Sequence, residues 1–582
     1  MRDDDNDFTL RPGKIRSKGG GKPKSFFNEV LRAISIQSGS HHRNRLTPAR
    51  STFGRGRNAY GLSLFQPSSR RVTIKARIAR HHGKAFRSAP MAKHIDYLGR
   101  EGVTKDKARG VMFDATGDDA NEIAFVDRCA DDRHHFRFII SPEDAAEMED
   151  LHSFTRDLLL QMETDLATKL DWIAIDHWNT DNPHIHLLVR GVDETGADLV
   201  ISRDYISRGI RSRAEDLATL ELGVKPDHEI HAAIERETTA DRWTRLDRDI
   251  ISQSNESGHV DLRSAQPGPE DPLMRRLMIR RLQYLESMGL AVTDGSGQWM
   301  MHAQAQPRLR DLGLRGDIIK TMHRCLNEHG LERSFDDYVV NAQDKPSAII
   351  GRLVGVGLHD ELSGEAYAVI DGVDGRAHHI RFKSLDAFDQ APAIGGIVEL
   401  RSFGDRNDPK STLVLANRSD LDITRQVTAP GATWLDHRLV ERTPIGLSQK
   451  GFGQEVHQAM RQRAEHLIDQ GLARREGDRV RFRKDLLATL RNQELESVGI
   501  RLAQQRGMTF NMTAQGRAVG GTFRETLRLS SGRFAVLDDG LGFSLVPWTP
   551  SLEKFRDRHV SGMTRSDGGI DWHRERARGL GR

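Results

Sequence analysis

The stretch from His177 to His186 reads HWNTDNPHIH and lies between two runs rich in apolar and β-branched residues. These runs, at residues 172 to 178 and 184 to 190, are predicted to be strands. The five residues between them, 179 to 183, include Asn, Asp and Pro and predict a hairpin loop. The stretch therefore predicts two adjacent antiparallel strands with histidines near the connection.

Three histidines of this hairpin are candidate metal ligands. Side chains alternate across a strand, so His184 and His186 share one face while Ile185 points to the opposite, core-facing side. The loop returns His177 to that pair, and three imidazoles can hold one ion with positions left open for water or a substrate oxygen. The ion would act as a Lewis acid on a phosphoryl or carbonyl oxygen. The alternative is an exposed H-x-H pair without a ligand, and the third histidine favours the metal site.

The hairpin belongs to a predicted folded unit at residues 70 to 225. Residues 72 to 79 alternate apolar and polar side chains, and residues 134 to 140 predict a second strand. Ser141 to Asp144 predict the start of a helix whose apolar face continues to Leu170. Strands and helices mixed in this order predict an α+β fold with an antiparallel sheet covered on one face.

Tyr97 is the candidate nucleophile. The sequence has six tyrosines, and Tyr97 lies on a short predicted helix opened by Ser88 and Pro90, with His94 three residues earlier on the same face. A phenol has a pKa of about 10, so it attacks a phosphate only where a metal neutralises the phosphate oxygens and another group takes its proton. The alternatives are that Tyr97 only packs an amphipathic helix against the core, or that Tyr205 is the nucleophile.

Several segments resemble relaxases, the HUH-type nucleases that start conjugative plasmid transfer. The histidine spacing of the hairpin resembles their third motif, most of all in the P-type mobilisation family that includes the T-DNA border nickase. Residues 88 to 103 look like the tyrosine motif of one subgroup of that family. That subgroup also carries a segment like Arg11 to Arg16 and a long C-terminal region of unknown function, which residues from about 335 onward resemble.

This resemblance implies an N-terminal HUH endonuclease domain that uses a divalent ion, Mg²⁺ or Mn²⁺. The implied activity nicks one strand at a plasmid transfer origin, forms a 5′-phosphotyrosyl intermediate and rejoins the strand after transfer. The implied partners are the origin hairpin with its adjoining single strand, relaxosome accessory proteins and a type IV coupling protein. The implied location is the cytoplasm, with export alongside the transferred strand as a further implication.

The general base is less well defined by the sequence. Many plasmid relaxases carry an acid two residues after the first ligand histidine, where this chain has Asn179. Asp181, in the loop beside the ligands, is therefore the candidate base, because Asp176 would face away from the metal on a regular strand. Of the neighbours His134 and His135, only one can face the site.

Basic residues on either side of the candidate site are predicted to bind DNA. Lys93 and His94 lie on the helix of the candidate nucleophile. Arg203, Arg208 and Arg211 form a basic segment after the hairpin that would grip phosphates.

The first 69 residues are predicted to be a basic, largely disordered tail. Between Arg11 and Arg57 there are twelve Lys or Arg residues against one acid, Glu29. Such a segment buries too little apolar surface to order itself, and it would follow a phosphate backbone by counterion release. A solvated tail without a specific partner is the alternative.

Two patterns recur beyond residue 225 and predict an internal duplication. The first pattern is Arg281-x3-Leu285-x3-Gly289-Leu290-Ala291, which recurs as Arg463-x3-Leu467-x3-Gly471-Leu472-Ala473, and each copy precedes a predicted hairpin. The second pattern is Gly351-Arg352-x-Val354-Gly355, which recurs as Gly516-Arg517-x-Val519-Gly520. A helix ended by glycine before a β-wing is the outline of a winged helix. The expected modules alternate between winged-helix-like and small β-barrel-like, the last with a basic tail, at residues 226–335, 336–425, 426–500 and 501–582.

Composition narrows the function classes. The net charge is +4. Only two cysteines are present, and this number excludes a disulfide framework or a cysteine metal site. No apolar run reaches the ~20 residues of a membrane span, and the polar start is unlike a signal peptide, so a cytoplasmic protein without membrane insertion is expected. Three other functions remain open: a rolling-circle initiator or HUH transposase, a non-enzymatic DNA-binding protein, and a metallo-phosphoesterase that leaves free 5′ ends.

Overall fold

The computed structural model describes most of the chain beyond the basic tail, as two compact units, Met1–Ile230 and His231–Arg582. Both units mix helices with antiparallel sheets, which confirms the α+β class. Among the described residues, no helix is long and apolar enough to cross a membrane. The predicted tail lies almost entirely outside the described residues, which are 54–56, 70–81, 89–180, 182–255, 258–263, 271–340, 349–403, 412–477, 479–513, 516–565 and 569–572.

The first unit is built on a four-stranded antiparallel sheet. In chain order the elements are β1 (Val72–Arg80), α1 (Ala89–Leu98), α2 (Glu122–Arg128), β2 (His134–Pro142), α3 (Leu151–Leu166), β3 (Trp172–His177), β4 (His184–Arg190) and α4 (Ile210–Leu222). The strand order in the sheet is β1-β2-β4-β3. The last helix, α4, follows directly on a π-helical turn, Tyr205–Gly209.

Helices cover both faces of this sheet, whereas the sequence predicted one covered face. Helices α3 and α4 pack on the face that carries Phe138 and Leu187, and this cluster forms the main core. Helices α1 and α2 pack on the opposite face against Ile175 and Leu188. The sequence predicted helix α1 but not the face it covers, and it missed α2, whose seven residues offer too few apolar positions to reveal a period.

The predicted start of helix α3 at Ser141 is wrong. Strand β2 continues through Pro142, which pairs with Val72 of β1. The helix begins at Leu151 instead, where the Asp150 side chain accepts hydrogen bonds from the first-turn N–H groups. An N-cap carboxylate satisfies donors that the helix itself cannot, so the cap rather than the proline sets this boundary.

The second unit contains two consecutive segments with a similar but not identical order of elements. The first segment begins with a helix, a short strand and a helix, whereas the second begins with three helices. Helix α5 (Asp227–Glu237) precedes the first segment. The first segment comprises α6 (Arg245–Ser252), β5 (His259–Asp261), α7 (Pro272–Ser287), β6 (Ala291–Gly295), β7 (Gln298–Met301), α8 (Ala305–Glu328), β8 (Tyr338–Val340), β9 (Ile349–Asp360), β10 (Glu365–Gly372), β11 (Ala377–Phe382), β12 (Ile397–Phe403) and β13 (Thr412–Ser419). The second comprises α9 (Ile423–Val427), α10 (Trp434–Leu439), α11 (Gly451–Asp469), β14 (Ala473–Glu476), β15 (Arg479–Phe482), α12 (Leu486–Arg506), β16 (Thr509–Phe510), β17 (Ala518–Leu529), β18 (Gly532–Asp538), β19 (Gly542–Pro547), β20 (His559–Thr564) and β21 (Ile570–Trp572).

The two six-stranded sheets of these segments share one topology. Their strand orders are β13-β12-β9-β10-β11-β8 and β21-β20-β17-β18-β19-β16. In each sheet the edge strand that comes first in sequence pairs in parallel, β8 with β11 and β16 with β19. The remaining pairs are antiparallel.

The repeated arginine of the sequence pattern is buried in both segments. Arg281 and Arg463 have no exposed side-chain surface, and each forms a bidentate ion pair with a buried aspartate, Asp247 or Asp436. Both guanidinium groups also donate to three backbone carbonyls, which belong to Thr238, Ala240 and Arg242 in one segment and to Val427, Ala429 and Gly431 in the other. The carbonyls have the same spacing in both segments, so the repeated letters correspond to a repeated hydrogen-bond network.

We expect Arg463→Met to destabilise the second unit strongly. The substitution leaves Asp436 buried without its cation, and breaking one side of a buried pair costs about 3–5 kcal/mol. Denaturant unfolding followed by tryptophan fluorescence measures the loss. The double variant Arg463→Met/Asp436→Leu removes the uncompensated charge and should recover part of the stability. A double variant no more stable than the single one would contradict this explanation.

Candidate metal centre

The three predicted histidines converge on one face of the sheet. His177 is directly opposite His184 in the β3–β4 pair, and His186 lies two residues further along β4 on the same face. The three side chains are buried, and their candidate ligand atoms lie within 4.8 Å of one another. Ring centroids are separated by 5.4 Å for His177 and His184, and by 4.4 Å for His177 and His186.

Backbone carbonyls orient two of these imidazoles. Nε2 of His177 donates to the Leu98 carbonyl at 2.8 Å, and Nδ1 of His184 lies 3.0 Å from the Asn182 carbonyl. Because a carbonyl only accepts, these contacts place a ring proton on Nε2 of His177 and on Nδ1 of His184, so in the neutral form of each ring the lone pair is on Nδ1 of His177 and on Nε2 of His184. Nε2 of His186 lies 3.1 Å from Nε2 of His184. Neutral imidazoles held by carbonyls are the donor set that a divalent metal uses, so these residues fit an ion.

The helix that carries Tyr97 ends at the histidine cluster. Leu98, the last residue of α1, is buried, and its carbonyl is the one that His177 contacts. Tyr97 is half-buried, and the Arg100 guanidinium lies 4.2 Å from the centre of its ring. His94 is buried on the same helix. The structure thus brings the backbone beside Tyr97 to the candidate ligand His177, a contact that the sequence could not show.

Tyr205 is enclosed on the other side of the sheet. It belongs to the core formed with α3 and α4, is fully buried, and donates from its hydroxyl to Asp165 at 2.9 Å. Burial and the negative charge of Asp165 raise its pKa far above the ordinary value of a phenol. A phenol that is enclosed and hard to ionise makes a poor nucleophile, so the geometry favours Tyr97 over Tyr205.

Asp176 faces away from the histidines, as the sequence predicted. Its carboxylate accepts from Nε2 of His152 at 3.1 Å and from the Trp178 indole. Burial alone would raise the pKa of Asp176, but these hydrogen bonds outweigh it and lower the pKa. His152 also contacts Asp118 at 3.1 Å. Asp176 is therefore a structural acid. The candidate base Asp181 lies outside the described residues, and Asn179, two positions earlier in the chain, is half-buried.

The predicted DNA-binding residues fall on different layers. Lys93 is exposed on α1, on the histidine side. Arg203, Arg208 and Arg211 are exposed on the segment around α4, which covers the opposite face, and Arg208 pairs with Asp204 at 3.0 Å. The sequence grouped these arginines with the site by proximity along the chain, but proximity along the chain does not decide which face of a sheet an element covers.

Of the neighbours His134 and His135, only His135 lies on the histidine face. Nε2 of His134 contacts the Leu199 carbonyl at 3.1 Å on the other side. His135 has the same orientation as Arg137, because alternate residues of β2 share a face. Arg137 was missed although the alternation that predicted the strands also gives its orientation. The carbonyls of Leu98 and Asn182 were missed for a different reason, since a backbone group has no sequence signature.

Comparisons with known proteins bear on the second unit. A family model described as "Protein of unknown function (DUF3363)" matches residues 278–412 and 405–581, which together make up just over half of the chain. No curated protein and no solved structure matches. The two matched ranges contain most of the two repeated segments, whereas the histidine cluster lies outside them.

Proposed function

We propose that this chain, which belongs to the family of proteins of unknown function DUF3363, is a metal-dependent relaxase that cuts one DNA strand and keeps the new 5′ end on Tyr97. The observation that carries the proposal is the set of three buried histidines at the end of the tyrosine helix, two of which are oriented by backbone carbonyls. In this proposal the first unit is an HUH endonuclease domain. The repeated segments of the second unit are winged-helix-like and small β-barrel-like modules that hold flanking DNA or partners.

Each group in the proposed reaction has a defined task. His177, His184 and His186 would hold Mg²⁺ or Mn²⁺, which would withdraw charge from the scissile phosphate. The Tyr97 hydroxyl oxygen attacks phosphorus, the new P–O bond to tyrosine forms, and the bond to the 3′ oxygen breaks. The phenol proton passes to a base, for which Asp181 is the candidate, and the leaving 3′ oxygen takes up a proton from water, so that the leaving strand ends in a 3′ hydroxyl. One phosphodiester replaces another, so attack by a 3′ hydroxyl reverses the step and rejoins the strand.

Two of the three other functions predict different products. A rolling-circle initiator or HUH transposase would use the same residues and form the same adduct, and it differs only in the DNA it acts on. A metallo-phosphoesterase would release free 5′ ends. A non-enzymatic DNA-binding protein would bind without cleavage. The tyrosine helix adjoining the histidines favours the enzymes that form a tyrosine adduct, which are the relaxase and the related initiator or transposase. A phosphoesterase that uses water as the nucleophile needs no tyrosine there.

A covalent-adduct assay tests the proposal. Labelled single-stranded oligonucleotides that tile the replicon encoding the chain are incubated with the full-length protein and Mg²⁺ or Mn²⁺. We expect one or a few oligonucleotides to give a denaturant-resistant protein–DNA band that a chelator prevents. Cleavage with free 5′ ends would support the phosphoesterase, and binding without cleavage would support the non-enzymatic protein.

A further inference from the structure

Three cations lie on the histidine face of the sheet, beyond the metal centre. Arg137 of β2 is directly opposite Arg77 of β1, and Lys75 is opposite Ile139, the residue that pairs with His186. Since paired residues share a face, Lys75, Arg77 and Arg137 point to the same side as the histidines. Arg137 is a diagonal neighbour of His186, a separation of about 7–8 Å between backbones.

Arg137 is held by a chain of two histidines. Its Nε donates to Nε2 of His135 at 2.9 Å, and Nδ1 of His135 lies 2.7 Å from Nε2 of His81. Nδ1 of His81 lies 2.8 Å from the Asp132 carbonyl. Arg137 can only donate and the carbonyl can only accept, so the two ends of the chain are fixed. With one proton on each imidazole, Nδ1 of His135 donates to Nε2 of His81, and Nδ1 of His81 donates to the Asp132 carbonyl. Burial lowers the pKa of both histidines, which favours this neutral chain.

The arrangement is costly for a protein without a ligand. Like charges directly opposite each other on neighbouring strands are destabilising, and Arg77 and Arg137 form such a pair. Burial and the charge of Arg77 lower the pKa of Arg137 to about 10. Among the described residues, neither Lys75 nor Arg77 has an ion-pair partner. An anion between these side chains would remove the repulsion.

We propose that Lys75, Arg77 and Arg137 form a phosphate-binding track for single-stranded DNA, and that His81 and His135 position Arg137 within it. The proposal rests on the proposed function for the identity of the anion. The track runs across the sheet towards His186, so it would hold backbone phosphates on one side of the scissile phosphate. An arginine with a fixed plane suits such a contact, because it donates to phosphate oxygens in a set geometry.

The salt dependence of binding tests this track. Affinity of the full-length protein for a labelled single-stranded 30-mer is measured in EDTA, where no covalent reaction competes, at several salt concentrations. Log K falls as log salt rises, and removal of one cation that binds a phosphate should make this slope less steep by about 0.7. At 0.1 M salt the same change corresponds to a loss of about fivefold in affinity. We expect that reduction for Lys75→Gln, Arg77→Gln and Arg137→Gln. The control is Lys169→Gln, an exposed lysine that pairs with Glu163 of α3, and it should not change the slope.

A double-variant cycle tests the positioning residues. His135→Phe keeps a ring but cannot accept from Arg137, so it should lower the slope as much as Arg137→Gln, and the double variant should lower it no further. Additive losses would overturn the positioning role.

Slopes equal to that of Lys169→Gln for all three track variants would overturn the track. If those variants lower the slope but the wild-type protein forms no adduct, the track stands and the relaxase proposal fails. If the wild-type protein forms an adduct but the three track variants leave the slope unchanged, the relaxase proposal stands and the track fails.

Discussion

Tyr97→Phe should abolish the covalent adduct and leave DNA binding largely intact. The substitution removes the proposed attacking oxygen and little else, since the ring can still pack beneath Arg100 at the end of α1. Loss of a nucleophile typically costs on the order of 10³-fold or more in rate. The measurement is the amount of denaturant-resistant band formed with a cleavable oligonucleotide and Mn²⁺, beside a binding titration of the same oligonucleotide.

Tyr205→Phe is the matched control for this prediction. It also removes one phenolic oxygen, but from the buried hydrogen bond to Asp165. We expect a loss of about 1–3 kcal/mol in stability with adduct formation retained. The opposite pattern, an active Tyr97→Phe and an inactive but folded Tyr205→Phe, would move the nucleophile to Tyr205 and contradict the proposed arrangement.

His186→Ala should reduce metal affinity and adduct formation together. Replacing a residue that only orients a ligand already costs 10–100-fold in affinity, so we expect removal of a ligand to cost at least about 100-fold. Calorimetric titration with Mn²⁺ measures the affinity, and the adduct assay at increasing Mn²⁺ measures the activity. The adduct should return partly at high Mn²⁺, because two imidazoles remain.

His378→Ala provides a control of equal size. His378 is also almost fully buried, in the second unit, where its Nε2 contacts Asp374 at 3.0 Å. Its replacement should leave Mn²⁺ affinity unchanged. If His186→Ala abolishes the adduct with unchanged Mn²⁺ affinity, His186 contacts DNA or the nucleophile instead of the ion.

The sequence was most informative where the relevant contacts are local. Strand alternation and a short connection predicted that His177, His184 and His186 converge, and the antiparallel pair with His177 opposite His184 confirms the hairpin. The repeated Arg281 and Arg463 patterns indicated a duplicated unit without revealing what the arginine does. Their buried ion pairs involve aspartates 34 and 27 residues away, a separation over which no local pattern operates.

The sequence by itself determined the strand pattern, the face shared by His184 and His186, and the α+β class, because these depend on residues a few positions apart. Only the tertiary structure decided which face each helix covers. It brought the Leu98 carbonyl to His177, 79 residues away, enclosed Tyr205 and set Arg77 opposite Arg137. These features depend on packing between elements distant in sequence, and one-residue changes in register or a different choice of face would alter all of them.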